Sequence, residues 1–334
     1  MSSNYLTLED VSGDFEFILL DDSCDESIIP DVWNVKISDD YIFVLSAKSG
    51  VFQFNRKGEF LRKISQQGKG PGEWSTIIDI AIDEIKNLIY IYDYTGKIMI
   101  FSIWDGLYID QLEMPGKMFS KIHAHGNNLF IAPYNSMGNE ESMLYCLDID
   151  NFSIQSAGNL PNFVLTDFNH MLYSFTKGII SNDSTIYVHP NLSSTVYEYE
   201  IKSNSIIESF SISFAAPLSP ELRGMGYEGL KKSQTIMDIA KNNHYFFVKI
   251  SSYSTEGEWY AIDKTCNETY KLDLKYSKNS ELKFSPKYQA NTFVADLIYV
   301  SSFNENSQEL LFISNKVGKE ITPNSNPLIV IWNE

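Results

Sequence analysis

Short runs of Ile, Val, Tyr and Phe, interleaved with polar residues and bounded by Gly, Asn, Asp and Ser, fill almost the whole chain. Their period is two, the mark of β-strands whose successive side chains leave opposite faces. In VFQFN, Val51 and Gln53 fall on one face and Phe52 and Phe54 on the other. The strands group into a larger unit of three strands and two turns. It reads YIFVLSAKSGVFQFNRKGEFLRKI from Tyr41 to Ile64 and LIYIYDYTGKIMIFSIWDGLYIDQL from Leu88 to Leu112. Weaker copies start near Leu129, Thr185 and Tyr245. Turns at Lys57-Gly58, Thr95-Gly96, Asp105-Gly106 and Lys202-Ser203-Asn204 carry residues that tolerate positive φ or bond locally.

Matched points Phe43, Tyr90, Phe130, Tyr187 and Phe247 recur at roughly 40- to 60-residue intervals, the spacing of propeller blades. Five copies are readable, and about one blade's worth of sequence is divided between the ends. The terminal segments DFEFILL (Asp14 to Leu20) and NPLIVIWN (Asn326 to Asn333) both read as strands. Pairing them closes the ring and removes the edges that an open array leaves. The expected fold is therefore all-β: one six-bladed β-propeller domain over residues 1–334, with four-stranded antiparallel blades. Its last blade would combine strands from about Phe284 to Ser302 and Leu328 to Trp332 with the N-terminal strand. Only Ser219 to Lys232 and Glu305 to Phe312 read as short helices.

Composition narrows the function classes. The 334 residues are 43% hydrophobic, enough for a large core, and the formal net charge is −17. That charge argues against nucleic acid and anionic membrane surfaces as partners, since both call for clustered Lys and Arg. No apolar run approaches the ~20 residues of a transmembrane helix. The N-terminus, MSSNYLTLEDVSGDFEF, shows no basic and apolar leader. Cys24, Cys146 and Cys266 are far apart and in no metal-ligand spacing, so they read as small hydrophobes.

Between the first two clear repeats lies QQGKGPGEWSTIIDIAID, Gln66 to Asp83. Gly68, Gly70 and Gly72 free the backbone for a tight crossing between blades, and Pro71 stiffens it. A backbone nest for an anion is the alternative. No GKS or GKT ending and no following helix support a nucleotide loop. This segment resembles the NHL repeat. It is more closely similar to the six-bladed β-propeller proteins of Bacteroides-type bacteria, where GxGPGE and an aromatic recur at this place. The opening from Phe15 to Ile37 and the ending NPLIVIW resemble that family as well. The resemblance implies the propeller fold and export, often as a lipoprotein with its leader removed. The chain begins without a lipid-bearing Cys, and a cytoplasmic location stays open.

Chemistry is sparse. There is no GxSxG, HExxH or Cys-His context. Inner strands of a propeller line its axis, and the segments assigned there are Ile78-Asp79-Ile80, His123-Ala124-His125, Met237-Asp238-Ile239 and Ala295-Asp296-Leu297, with Lys36 and His170 as further polar candidates. His123 and His125, at i and i+2, share a face and could reach one Zn²⁺. Asp79, Asp238 and Asp296 could hold Ca²⁺ in an acidic channel. The bland alternatives are bonds to water or backbone and a water-filled pore. Asp93 and Asp263 end strands and read as turn stabilisers. Of the aromatics, Tyr134, Tyr227, Tyr253 and Trp259 fall near loops and are the expected exposed ones.

The leading function is a non-catalytic binding or interaction propeller. It would use Asp79, Asp238, Asp296, Lys36, Tyr134 and Trp259 at the channel mouth, for a glycan, a peptide or an envelope protein. The alternative is a metal-dependent hydrolase or lyase with its site in the channel.

Overall fold

A computed structural model describes residues 5–114, 119–133, 142–159, 177–181, 185–190, 193–252, 255–277, 280–290, 293–304 and 307–333. Two strands, β1 (Tyr5–Thr7) and β2 (Asp14–Leu19), flank a short helix α1 (Leu8–Val11) ahead of the first blade. Blade one is β3 (Asn34–Ile37), β4 (Tyr41–Ser46), β5 (Gly50–Asn55) and β6 (Phe60–Ile64). Blade two is β7 (Ile77–Asp83), β8 (Leu88–Asp93), β9 (Lys97–Ser102) and β10 (Tyr108–Glu113). Blade three is β11 (Phe119–His125), β12 (Asn128–Pro133), β13 (Ser142–Asp148) and β14 (Ile154–Asn159). Blade four is β15 (Lys177–Ser181), β16 (Thr185–His189), β17 (Thr195–Glu200) and β18 (Ser205–Ser211). Helices α2 (Pro220–Gly224) and α3 (Tyr227–Lys232) lead into blade five: β19 (Thr235–Lys241), β20 (Tyr245–Ser251), β21 (Glu258–Asp263) and β22 (Thr269–Asp273). Blade six holds β23 (Tyr288–Ala290), β24 (Phe293–Ile298) and β25 (Leu328–Asn333), with helix α4 (Gln308–Val317) inserted before β25.

The fourth strand of blade six is β2. It runs antiparallel to β25 with an unbroken register, Asp14 opposite Asn333 through Leu19 opposite Leu328. The six-bladed propeller closed by its two ends is thus the observed fold. The inner strands β3, β7, β11, β15, β19 and β23 each touch the next around the ring, and β23 returns to β3. In an up-and-down blade, the first and third turns leave one face of the ring. The second turn and the crossover to the next blade leave the other.

The core follows from the repeat. Buried residues form separate clusters between successive blades. Phe43, Leu45, Trp74 and Ile91 pack between blades one and two, and Tyr90, Tyr92, Ile122 and Leu147 between two and three. The matched aromatics Phe43, Tyr90, Phe130 and Phe247 are each at most 2% exposed. Large flat side chains suit this face-to-face packing of twisted sheets.

Three features are absent from the strand pattern. β1 adds to blade five as a fifth strand, parallel to β22. The expected helix at Ser219 to Lys232 is two helices, and α4 starts three residues later and ends five residues later than Glu305 to Phe312. Bulges break the ladders of three inner strands at the same place, between Ile77 and Asp79, Phe119 and Lys121, and Ile236 and Asp238.

The closure is pinned beyond the ladder. Arg56 in the last turn of blade one bonds Glu16 of β2 at 2.7 Å. Gly58, at φ 82°, lets that turn lie on β2, where a Cβ would stand 2.3 Å from the Leu19 carbonyl oxygen. Buried Asn326 accepts from the Ile29 amide at 3.0 Å and donates to the Asp21 and Ser27 carbonyls at 2.6 and 2.8 Å.

Deleting residues 1–20 removes β2 with Ile18, Leu19 and Leu20, all under 9% exposed. It also bares the β25 edge. We expect loss of the cooperative thermal transition, because a whole buried strand outweighs the roughly 5–15 kcal/mol that holds a domain. Deleting residues 1–7, which removes only β1, should leave the transition in place. Equal melting of the 1–20 deletion and the full chain would refute closure.

Candidate functional site at the propeller axis

The bulges decide what reaches the axis. A bulge leaves one residue unpaired and re-aims its neighbour. Asp79, Lys121 and Asp238 each follow one, and Asn34 holds the matching ladder position in blade one, opposite Leu45. Two residues further along the same strands stand Lys36, Ala81, His123 and Ala240, with Tyr288 in blade six facing Ala295 at the matching rung. The axis therefore carries two tiers of chemically unlike side chains on an otherwise regular frame.

Asp79 organises the first tier and is fully buried. Its Oδ1 accepts from Asn34 Nδ2 at 2.6 Å and lies 3.7 Å from Lys121 Nζ. Its Oδ2 accepts from the Ile122 amide at 3.1 Å. One carboxylate thus joins blades one, two and three. Asn34 in turn accepts from the Val35 amide at 2.9 Å.

The second tier is less satisfied. Burial draws the Lys36 ammonium below the ordinary lysine range; Asp79 opposes the shift and Lys121 adds to it. His123 is held well below the ordinary imidazole value by burial first, then by the charges of Lys36 and His125. Both side chains are walled by protein yet partly open to solvent along the axis. The Lys36 charge of blade one thus acts on His123 of blade three.

The sequence candidates distribute unevenly. Lys36, Asp79, His123, His125 and Asp238 do stand on inner strands. Asp296 does not: it lies on β24, the second strand of blade six, where the matching residues Val44, Ile91 and Ile131 are apolar. There it accepts from the Ser285 amide and hydroxyl at 2.8 and 3.1 Å, and burial raises its pKa. Trp259 is also corrected. It lies on β21 and is 4% exposed, packed with Phe247 and Ala261 in the core between blades five and six. The strand already begins at Glu258, one residue before Trp259, although the polar residues ahead of it read as a loop. Tyr134, His170 and Tyr253 lie outside the described residues. Tyr227 is half-buried in α3 under Lys231.

The axis is mixed in charge rather than acidic, with Lys36 and Lys121 beside Asp79. Among the described residues no three His, Cys, Asp or Glu side chains converge on a common point. Asp238 accepts from the Ile239 amide at 3.1 Å. Burial raises the Tyr288 pKa, with smaller contributions from Asp296, Tyr299 and Asp238.

The glycine-rich segment is a blade crossover. Trp74 is 2% exposed between blades one and two. Glu73 folds back into the loop, where its carboxylate accepts from the Gly70 amide at 2.7 Å and Gln66 Nε2 at 2.8 Å. The chain's own carboxylate thus sits where the anion of a backbone nest would be, and these bonds lower its pKa. Asp93 likewise serves the backbone, accepting from the Ser75, Thr76 and Thr95 amides at 2.6, 2.9 and 2.7 Å.

A family model described as a domain of unknown function, DUF4934, matches residues 2–333. The chain belongs to the DUF4934 family. Among solved structures, a Bacteroides fragilis protein expected to be exported aligns with a TM-score of 0.73 at 18% identity, covering 98% of this chain and 97% of its own. U3-55K and the RRP9 WD40 repeats each align with a TM-score of 0.53, at 13% and 11% identity. Each alignment covers 96% of this chain and 98% of the other. At these identities the likeness establishes the fold of this family member and nothing finer. No curated protein matches. No described helix is long and apolar enough to cross a membrane, which leaves β-barrel spans unaddressed.

Two outcomes follow for the axis. Asp79→Ala leaves Asn34 Nδ2 and the Ile122 amide without an acceptor, and urea unfolding should show a loss of about 2–4 kcal/mol. Asp79→Asn, which keeps an acceptor oxygen, should lose less. The second concerns acid. Unfolded His123 takes up its proton near 6.5, whereas in the fold it stays neutral to lower pH. Below that value the unfolded state binds more protons, so stability falls as pH drops, by up to about 1.4 kcal/mol per pH unit. Thermal melts between about pH 7 and pH 5 should show a shallower fall for His123→Gln than for the parent chain.

Proposed function

We propose that the chain, acting as one unit over residues 1–334, is a non-catalytic interaction propeller that docks a protein through one face of blades two and three. The observation that carries this is a line of exposed apolar side chains on the first and third turns of those blades: Ile85, Trp104, Leu107 and Phe152, at 96, 73, 64 and 58% exposure. The equivalent turns of blade one carry Asp39, Asp40, Lys57 and Gly58. An exposed apolar cluster rimmed by polar residues is the mark of an interaction site.

The turns that carry these residues are stitched together. The Ile103 amide donates to the Asn87 carbonyl at 3.0 Å, and Lys86 Nζ reaches Asn127 Oδ1 in blade three at 2.5 Å. Asn127 continues to Asp148 through Nδ2 at 3.1 Å, and its carbonyl accepts from the Ile149 amide at 3.0 Å. Phe152 holds φ 56°, a conformation that bulky residues rarely adopt and that persists where the surroundings impose it. A mixed aliphatic and aromatic cluster suits a protein surface better than a sugar, which would call for stacking rings with hydrogen-bonding neighbours. The expected export of the Bacteroides fragilis relative supports an envelope protein as the partner. A glycan or a peptide is the competing ligand.

A photo-crosslinking residue at position 104, compared with one at position 57 in the matching turn of blade one, tests this in the native host. A discrete protein adduct at 104 and none at 57 is the expected result. Adducts at neither site, or the same adducts at both, would remove the proposed face.

A further inference from the structure

The two tiers at the axis have the same plan and differ in one component. In the first, Asn34 of blade one and Lys121 of blade three converge on the Asp79 carboxylate of blade two. One step along the same strands, Lys36 and His123 hold the outer positions, and the middle position is Ala81. A methyl group stands where the first tier has its anion.

In the two tiers of blades one to three, cations outnumber acids. Lys36 and Lys121 are two ammonium groups near one carboxylate, and both oxygens of Asp79 are already engaged by Asn34, Lys121 and the Ile122 amide. Among the described residues, neither the Lys36 ammonium nor the His123 ring has a hydrogen-bond or ion-pair partner. Lys36 is half-buried, and a cation withdrawn from water in this way is ordinarily paired. The excess is local, since the whole chain carries a net charge of −17. The one acid of the inner strands on the far side, Asp238, is spent at least partly on its own neighbour's amide.

We propose that the axis of the propeller binds a small oxyanion, the carboxylate or phosphate group of a small molecule, between Lys36 and His123 with Lys121 at its side. Lys36 supplies the charge and the neutral imidazole of His123 donates an N–H. Ala81, which holds the rung between them, supplies no competing carboxylate. The site is separate from the apolar face of blades two and three, and it stands whether or not that face docks a protein.

The test is thermal melting of the full chain in sodium phosphate and in sodium acetate, each against sodium chloride at matched ionic strength. Nitrogen-15 spectra of the histidine rings at one fixed pH accompany it, with the His123 signal assigned by its absence in His123→Gln. A rise in Tm of about 2 °C at tenfold the dissociation constant is expected, together with a shift of the His123 signal. A response to acetate alone identifies a carboxylate site, and one to phosphate alone a phosphate site. Both effects should vanish in Lys36→Met. Ala81→Asp, which supplies the missing carboxylate from the chain itself, should shift the His123 signal without added anion and abolish the response to it. Identical melting and identical His123 signals in all three salts would overturn the proposal. So would a Tm rise that persists in Lys36→Met.

Discussion

The antiparallel ladder between β2 and β25 is the constraint on which the rest depends. Twelve backbone positions, Asp14 to Leu19 opposite Leu328 to Asn333, turn an open array into a ring. Only in a closed ring does β23 meet β3, and only then does an axis exist for Lys36, His123 and Tyr288 to share. The two chain ends thereby contribute to blades that neither could complete alone. Asn326, Arg56 and Gly58 hold that junction from outside the ladder, each through a contact between segments far apart in sequence. Because each buried cluster lies between two blades, opening one junction strips two sheet faces at once. That is the physical source of cooperativity in a fold made of near-identical parts.

Much of this frame was legible in the strand pattern because propeller packing uses period-two alternation directly. The matched aromatics Phe43, Tyr90, Phe130 and Phe247 mark the second strands of blades one, two, three and five, and their burial is what the pattern implies. β1 was not legible. A three-residue strand, YLT, shows no period, and a parallel addition to β22 needs no turn that a sequence could signal. The axis was partly legible. Inner strands could be counted, so Asp79, His123 and Asp238 were placed. Blade six departs from that count: its inner strand β23 has only three residues, and Asp296 lies one strand out, on β24. Bulges were invisible because one extra residue in a polar-apolar run looks like ordinary variation. Yet the bulges at Ile78, Ser120 and Met237 place Asp79, Lys121 and Asp238 where they are.

Charge shows the same separation of frame from detail. A net charge of −17 invites the reading of an acidic channel. At the axis Lys36 and Lys121 offset Asp79 and Asp238, because net charge is set mostly at the surface and the axis holds only a handful of groups. Asp79 illustrates the difference. From sequence it is a free carboxylate suited to a cation; in the ring it is a joint between three blades, with both oxygens committed. A carboxylate so engaged has little capacity left for a ligand, whereas the uncommitted groups beside it are donors.

A repeated fold makes its own departures informative. Backbone geometry and packing ask the same of every blade, so positions that serve only the frame should resemble one another around the ring. The second-strand aromatics do in blades one to five. The axial tiers do not: one rung holds Asn34, Asp79, Lys121 and Asp238, and the next holds Lys36, Ala81, His123 and Ala240. The first and third turns do not either, with acids and Gly58 in blade one against Ile85, Trp104 and Phe152 in blades two and three. Stability alone would be better served by small apolar side chains at the axis and polar ones on the turns. A half-buried Lys36 without an ion-pair partner among the described residues and an exposed Trp104 both cost the folded state something that the repeat does not require. Such costs persist where another molecule relieves them, which puts the function of this propeller on its asymmetric positions rather than on the repeat that builds it.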